Sequence, residues 1–122
     1  MRVRLAPGAD PERAIQVVRE IAGNTAAAVG VTSQHPLGRR NDYVRWAMNT
    51  EARLESVLQH DDAQAFFDTP RHRDISSSFL GDHLTTMIYS EIEARRRDFE
   101  DAASYLQRHT LTGCGGLPAF QS

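Results

Sequence analysis

The stretch DHLTTMIYSEIEARRRDFEDAASYLQRHT, residues 82–110, decides the fold because it is the longest segment with helical periodicity. Asp82 is a suitable residue to open a helix, and Gly113 is a natural stop. Apolar residues recur at helical spacing along one seam: Leu84, Ile88, Ile92, Phe99, Ala102 and Leu106. If Arg95 fills one position, the spacing becomes heptad-like. A helix of this length measures about 40 Å, which is more than one small domain needs to cover.

A second helical stripe lies upstream, where Asn41 or Asp42 is placed to cap a helix that continues to His60. The sequence therefore predicts a helix over residues 42–60. Its apolar stripe contains Tyr43, Trp46, Ala47, Thr50, Leu54, Val57 and Leu58.

Between these two helices, Asp61-Asp62 predicts a short helix over 62–68 that carries Phe66 and Phe67. Pro70 is interpreted as its stop, so residues 69–81 are expected to be irregular. The serines at 76–78 are interpreted as turn and cap residues rather than as a phosphate site, because the Gly-rich spacing of a nucleotide loop is missing.

The N-terminal third begins with a polar lead-in, 1–10, which could contain a strand at 2–6. Asp10-Pro11-Glu12 is a strong helix start and predicts a helix over 11–28, although Gly23-Asn24 is an alternative end. Residues 30–41 are loop-like in composition, and 113–122 are expected to form a flexible tail. The predicted fold is all-α: a small bundle of three main helices plus a short one, with the helical domain at 11–112.

Composition limits the class of protein. The 122 residues suit a single domain with a net charge of −2, and only 26 of them are Leu, Ile, Val or Phe, so the core is thin. All 14 basic residues are Arg, which indicates coding bias in a GC-rich genome. No apolar run reaches the ~20 residues that span a bilayer. A single cysteine, Cys114, excludes an internal disulfide, and a cytoplasmic location is expected.

Catalytic and metal-binding patterns are missing from the sequence. None of the five histidines has the Glu-x-x-His spacing of a metal site in a helical bundle. These histidines are His35, His60, His72, His83 and His109. Cys114 lies among glycines, with nothing to fix a base beside it. The sequence predicts no catalytic residue, no metal and no cofactor. A small helical enzyme without a recognisable motif is the third hypothesis for function.

The run 95–97 is the only stretch of three consecutive arginines. Each of these arginines has an acidic residue four positions away, which is the spacing of an ion pair along a helix. The predicted pairs are Glu91 with Arg95, Glu93 with Arg97, Arg96 with Glu100, and Arg97 with Asp101. A self-neutralised, solvated helix face is therefore favoured. The alternative is an RNA- or DNA-binding accessory domain that uses Arg39, Arg40, Arg71, Arg73, Arg95, Arg96 and Arg97.

The thin core and the long C-terminal helix favour burial of leftover apolar surface against a partner. A homo-oligomer is expected, most simply a dimer, or else a different protein partner. Trp46 suits either the core or an interface. The interface candidates are Trp46, Ile88, Ile92, Phe99 and Leu106.

Three short segments resemble a known family: Asp42-Tyr43-Val44-Arg45-Trp46, Thr69-Pro70-Arg71-His72 and Ile88-Tyr89-Ser90-Glu91-Ile92-Glu93. Together with their surroundings, residues 42–108, they are similar to the helical region that precedes the nuclease domain in some actinobacterial PIN-domain proteins. In that family the long helix leads to a strand with an acidic Asp-Thr-Asn motif, whereas here Leu111-Thr-Gly-Cys-Gly-Gly follows. The resemblance therefore implies a bacterial, non-catalytic helical interaction or oligomerisation module, accessory to an RNA-cleaving partner.

Overall fold

A computed structural model describes residues 2–28, 36–77 and 82–112 of the chain. In these ranges the predicted all-α class is confirmed. The helices are α1 Pro11–Ala28, α2 Pro36–Glu55, α3 His60–Ala65, α4 Pro70–Ser77 and α5 Asp82–Leu106, and a π-helical turn, Gln107–Thr112, continues α5. The tail expected at 113–122 lies outside the described residues.

Helix α1 covers the predicted range and continues through Gly23. Its start is fixed by the Asp10 carboxylate, which accepts a hydrogen bond of 3.3 Å from the backbone N–H three residues later. Near its end, Thr25 is buried, and its hydroxyl donates to the carbonyl oxygens of Ile21 and Ala22 at 2.9 and 2.6 Å. Because this hydroxyl is satisfied by its own helix, the last turn can remain packed in the core.

The apolar seam of α5 is covered by α1, which makes the largest helix contact in the described residues. Helix α1 is about 27 Å long, enough to follow most of α5. All five interface candidates are at most 6% exposed: Trp46, Ile88, Ile92, Phe99 and Leu106. These side chains are therefore buried within the described part of the chain itself, and the expected homo-oligomer stays a prediction. Gly23 does not end α1, so its apolar face reaches far enough to bury the seam.

Helices α2 and α4 both begin where the sequence predicted no helix, and they do so for a common reason. Helix α2 begins at Pro36 and ends at Glu55 rather than spanning 42–60, and α4 begins at Pro70 in the segment expected to be irregular. Proline is well tolerated in the first turn of a helix, where its missing N–H is not needed. Thr69 completes the start of α4, because its hydroxyl oxygen accepts the backbone N–H of His72 at 3.1 Å.

The polar lead-in packs against the junction between α2 and α3. Leu5 forms an isolated antiparallel bridge with Leu58, so the strand considered at 2–6 is reduced to one bridge. The neighbouring residue Arg4 forms an ion pair with Asp62 at 3.1 Å, and Val3 is buried in the core. This segment is therefore part of the packed unit rather than a separate lead-in.

Candidate functional site

The basic run on α5 is largely neutralised by acids on the same helix. Arg96 pairs with Glu93 and, at 2.9 Å, with Glu100, while Arg97 lies 3.8 Å from Glu93. The hydrogen bond from Arg96 lowers the pKa of Glu93, and the same bond raises the pKa of Arg96. Three of the four predicted pairs are observed: Glu91 with Arg95, Glu93 with Arg97, and Arg96 with Glu100.

The other nucleic-acid candidates lie on α2 and α4. On α4, Arg71 approaches Glu91 at 3.5 Å and Arg73 pairs with Asp68 at 2.5 Å. Arg40 lies on α2 beside a groove described below, and the side chain of Arg39 lies outside the described residues. The candidates are thus spread over three helices, and Arg71, Arg73 and Arg95 to Arg97 each have an acidic neighbour.

An aromatic cluster joins α2 to α5 through the segment between α3 and α4. Trp46 meets Phe67 edge to face, with ring centroids 5.7 Å apart, and Phe66 packs on Phe99 at 4.9 Å. Such tilted arrangements are the preferred geometry of aromatic pairs. The cluster holds α4 in place, because the imidazole of His72 also packs on Phe67 with centroids 5.6 Å apart.

A hydrogen bond between two titratable side chains borders the aromatic cluster. The hydroxyl of Tyr43 lies 2.8 Å from Nδ1 of His72. Burial lowers the pKa of His72, and the nearby Glu91 partly offsets this effect. Burial and the same carboxylate raise the pKa of Tyr43. Both side chains are therefore held neutral near pH 7.

Glu91 is the centre of a buried charged cluster. Its side chain is 1% exposed and its Oε2 accepts a hydrogen bond of 2.8 Å from the hydroxyl of Thr69. Arg71 Nη1 lies 3.5 Å from Oε1, and Arg95 Nε lies 3.5 Å from Oε2. Arg95 also pairs with Asp98 at 3.0 Å. A cation that lies in the apolar seam needs such acidic partners, because an unpaired buried charge is costly.

This cluster opens into a cavity of about 440 Å³ between α4 and α5, here called the Glu91 cavity. Its lining residues are Thr69, Pro70, Arg71, Asp74, Met87, Glu91 and Arg95. The sequence contains a pattern that could have located it. The spacing from Ile88 to Glu91 to Arg95 places an acid and a cation on the apolar side of α5.

A second depression lies on the outer face of α2, beside α4, and is here called the Met48 groove. It has a volume of about 400 Å³ and is lined by Arg40, Asn41, Val44, Arg45, Met48, Asn49 and Ser76. The α2 residues follow the spacing of one helical face. Met48 is 67% exposed, the largest value among the large apolar side chains described.

The histidines do not assemble a metal site in the described part of the chain, where no group of three potential ligands occurs. His60 Nδ1 contacts a carboxylate oxygen of Glu55, and the ring of His109 stacks on Tyr105 with centroids 4.2 Å apart. His35, Cys114 and the side chain of His83 lie outside the described residues.

No family model, curated protein or solved structure matches the chain. The resemblance to the helical region of PIN-domain proteins therefore stays a prediction. Among the helices described, none combines the length and the apolarity that crossing a bilayer requires.

Proposed function

We propose that this protein is a non-catalytic helical interaction module that docks an acidic amphipathic segment of another protein in the Met48 groove. The observation that carries the proposal is the exposure of Met48 at the middle of a helical face that also contains the half-buried Val44. Large exposed apolar side chains beside a groove are typical of binding surfaces, and flexible methionine adapts to a partner.

The charges of the groove indicate the partner's chemistry. Among the described residues, its lining contains the cations Arg40 and Arg45 and no carboxylate. Arg45 pairs with Asp42 at 3.4 Å, but this pair is 70% and 25% exposed, so it is weak and can be exchanged for a partner's acid. An apolar centre with a basic rim complements a helix that carries leucines on one face and acids beside them.

The alternative of RNA or DNA binding receives less support from the same geometry. Arg71, Arg73 and the run 95–97 already have acidic neighbours, which phosphates would have to displace. The groove itself is centred on aliphatic side chains rather than on the aromatic rings that stack bases. A protein partner linked to RNA cleavage, as the resemblance implies, and a cytoplasmic setting are parts of this proposal.

The experiment is fluorescence anisotropy with a designed, labelled peptide that alternates leucines at helical spacing with flanking glutamates. We expect binding with a Kd on the order of 10 μM, and Met48→Asp should weaken it at least about tenfold. A peptide with lysines in place of glutamates should bind at least about tenfold more weakly, because the rim is basic.

Tyr89→Asp is the matched control, because Tyr89 is 55% exposed but lies outside the groove lining. Loss of binding in this variant, or equal binding of the acidic and basic peptides, would contradict the proposal. A labelled RNA that binds instead, with affinity falling about a thousandfold between 50 and 200 mM salt, would favour the nucleic-acid alternative.

A separate prediction is that the chain self-associates, with a second copy of itself as the partner. Light scattering coupled to gel filtration distinguishes a 13.6 kDa monomer from a dimer. A monomeric mass together with peptide binding supports a hetero-partner. A dimer that dissociates on Met48→Asp would show that the groove serves self-association instead.

A further inference from the structure

The contact between His72 and Tyr43 holds α4 in the bundle in a way that depends on pH. We propose that protonation of His72 breaks its hydrogen bond to Tyr43 and releases α4 from α2 and α5, while the other helices stay folded. Three features of the molecule support this: the weak anchoring of α4, the hydrogen bond itself and the charges around the imidazole. None of them depends on what binds in the Met48 groove.

Helix α4 is anchored by few side chains. Among its eight described residues, Ile75 is the one buried side chain and His72 is half-buried. Arg71 approaches Glu91 at 3.5 Å, but it is 45% exposed and contributes little. A helix this short is not stable by itself in water, so α4 stays helical only while it is docked. The contact that His72 makes with α2 is therefore a large part of what keeps α4 in place.

The hydrogen bond between Tyr43 and His72 requires a neutral imidazole. Tyr43 is fully buried, and among the described residues the partner of its hydroxyl is Nδ1 of His72, at 2.8 Å. A neutral ring can accept the hydroxyl proton at Nδ1, whereas a protonated ring carries N–H groups on both nitrogens and accepts none. Protonation leaves a buried hydroxyl without an acceptor and puts a charge in a half-buried site, so it favours the released state of α4.

The charged groups around His72 do not compensate for its burial. Burial lowers the pKa of His72, Arg95 on α5 and Arg73 on α4 lower it further, and Glu91 on α5 partly raises it. Three more acids, from α2, α3 and the segment after α3, line the depression that the imidazole borders: Glu51, Asp61 and Asp68. Both aspartates are exposed to solvent, which screens them, and Asp68 already pairs with Arg73. His72 is thus easier to protonate after α4 is released than while it is docked.

The size of the effect follows from linkage between protonation and release. In the released state the pKa of His72 returns to about 6.5. Each pH unit between this value and the lower pKa of the docked ring raises the ratio of released to docked α4 about tenfold. Ser76 of α4 lines the Met48 groove, so the released state also lacks one wall of that groove.

The test is amide hydrogen exchange of the full chain at pH 7.5 and 5.5, with each rate divided by the intrinsic rate at that pH. The amides of residues 73–77 are bonded to carbonyls one turn earlier and report on release of α4, while α1 reports on global unfolding. We expect the protection of α4 to be at least about tenfold lower than that of α1 and insensitive to low urea, as local opening requires. Between the two pH values, it should fall by about three- to tenfold.

Three variants identify the group responsible. His72→Gln keeps an acceptor for Tyr43 and cannot take up a proton, so its α4 protection should be the same at both pH values. His60→Gln is the matched control, because His60 is 63% exposed, and it should keep the full pH response. Tyr43→Phe removes the hydroxyl that needs the acceptor and should reduce the response. Equal protection and urea dependence of α4 and α1 would overturn the proposal, and so would an undiminished response in His72→Gln or in Tyr43→Phe.

Discussion

Replacing Glu91 with glutamine tests whether the buried cluster on α5 is a net stabiliser of the fold. Glu91→Gln keeps the shape of the side chain and the acceptor for the Thr69 hydroxyl, and it removes only the charge. Arg95, which is 11% exposed, then loses one of its two acidic neighbours. Arg71 is 45% exposed and can turn its charge to solvent, so the loss falls mainly on Arg95.

The size of the expected loss of stability depends on the partners that Arg95 keeps in the variant. Removing one partner of a fully buried pair costs about 3–5 kcal/mol. Here Asp98 at 3.0 Å and the carbonyl oxygen of Phe66 at 2.6 Å still hold the guanidinium, and Glu91 contacts it only at 3.5 Å. We therefore expect the free energy of unfolding to fall by about 2 kcal/mol, a large part of a typical stability of about 5–15 kcal/mol.

The assay is urea denaturation followed by far-ultraviolet circular dichroism. Glu100→Gln is the matched control, because Glu100 pairs with Arg96 on the same helix but is 53% exposed; the control should change stability by less than about 0.5 kcal/mol. If Glu91→Gln is as silent as Glu100→Gln, the cluster does not hold α4 to α5 as argued. A combined Glu91→Leu and Arg95→Met variant should recover most of the loss, because the unpaired charge is gone.

Three further predictions concern the core, α1 and pH. Trp46→Ala should reduce the free energy of unfolding by about 3–5 kcal/mol in urea melts, because Trp46 is 6% exposed; a loss below about 1 kcal/mol would place it at an interface. Gly23→Ala should raise stability by about 0.5–1 kcal/mol in thermal melts, since a Cβ there meets nothing within 4 Å; destabilisation would contradict this. The lowered pKa of His72 means that the unfolded chain takes up a proton first, so stability should fall as the pH drops below about 6.5 and continue to fall until folded His72 is protonated. His72→Gln should make the free energy of unfolding less dependent on pH in this range. An unchanged slope would show that His72 is not the group responsible.

The helices with strong apolar periodicity could be predicted from the sequence. Helix α1 has the predicted bounds, and α5 lies within the predicted long helix. The errors at the starts of α2 and α4 came from two prolines, Pro36 and Pro70, of which one was placed in a loop and the other interpreted as a stop. Both lie at the first position of a helix. Sequence context alone does not separate these roles, because the same missing N–H ends one helix and starts another.

The candidate sites were less predictable for a different physical reason. The local pairing of Arg96 and Arg97 followed from spacing along one helix, and the structure confirms it. The approach of Arg71 to Glu91 joins two helices, and no periodicity encodes which helices become neighbours. The exposure of Met48 also depends on how α2 is covered, which tertiary packing determines.

The pairing of α1 with α5 has a consequence for how the chain is made. The first long helix finds its main partner in the last, so most of the sequence must leave the ribosome before the central contact can form. Closing so long a loop delays the native contacts that repay its entropy. This chain should therefore fold more slowly than helical bundles of its size whose sequential helices are neighbours, and a nascent chain that stops before α5 exposes the apolar face of α1 to chaperones.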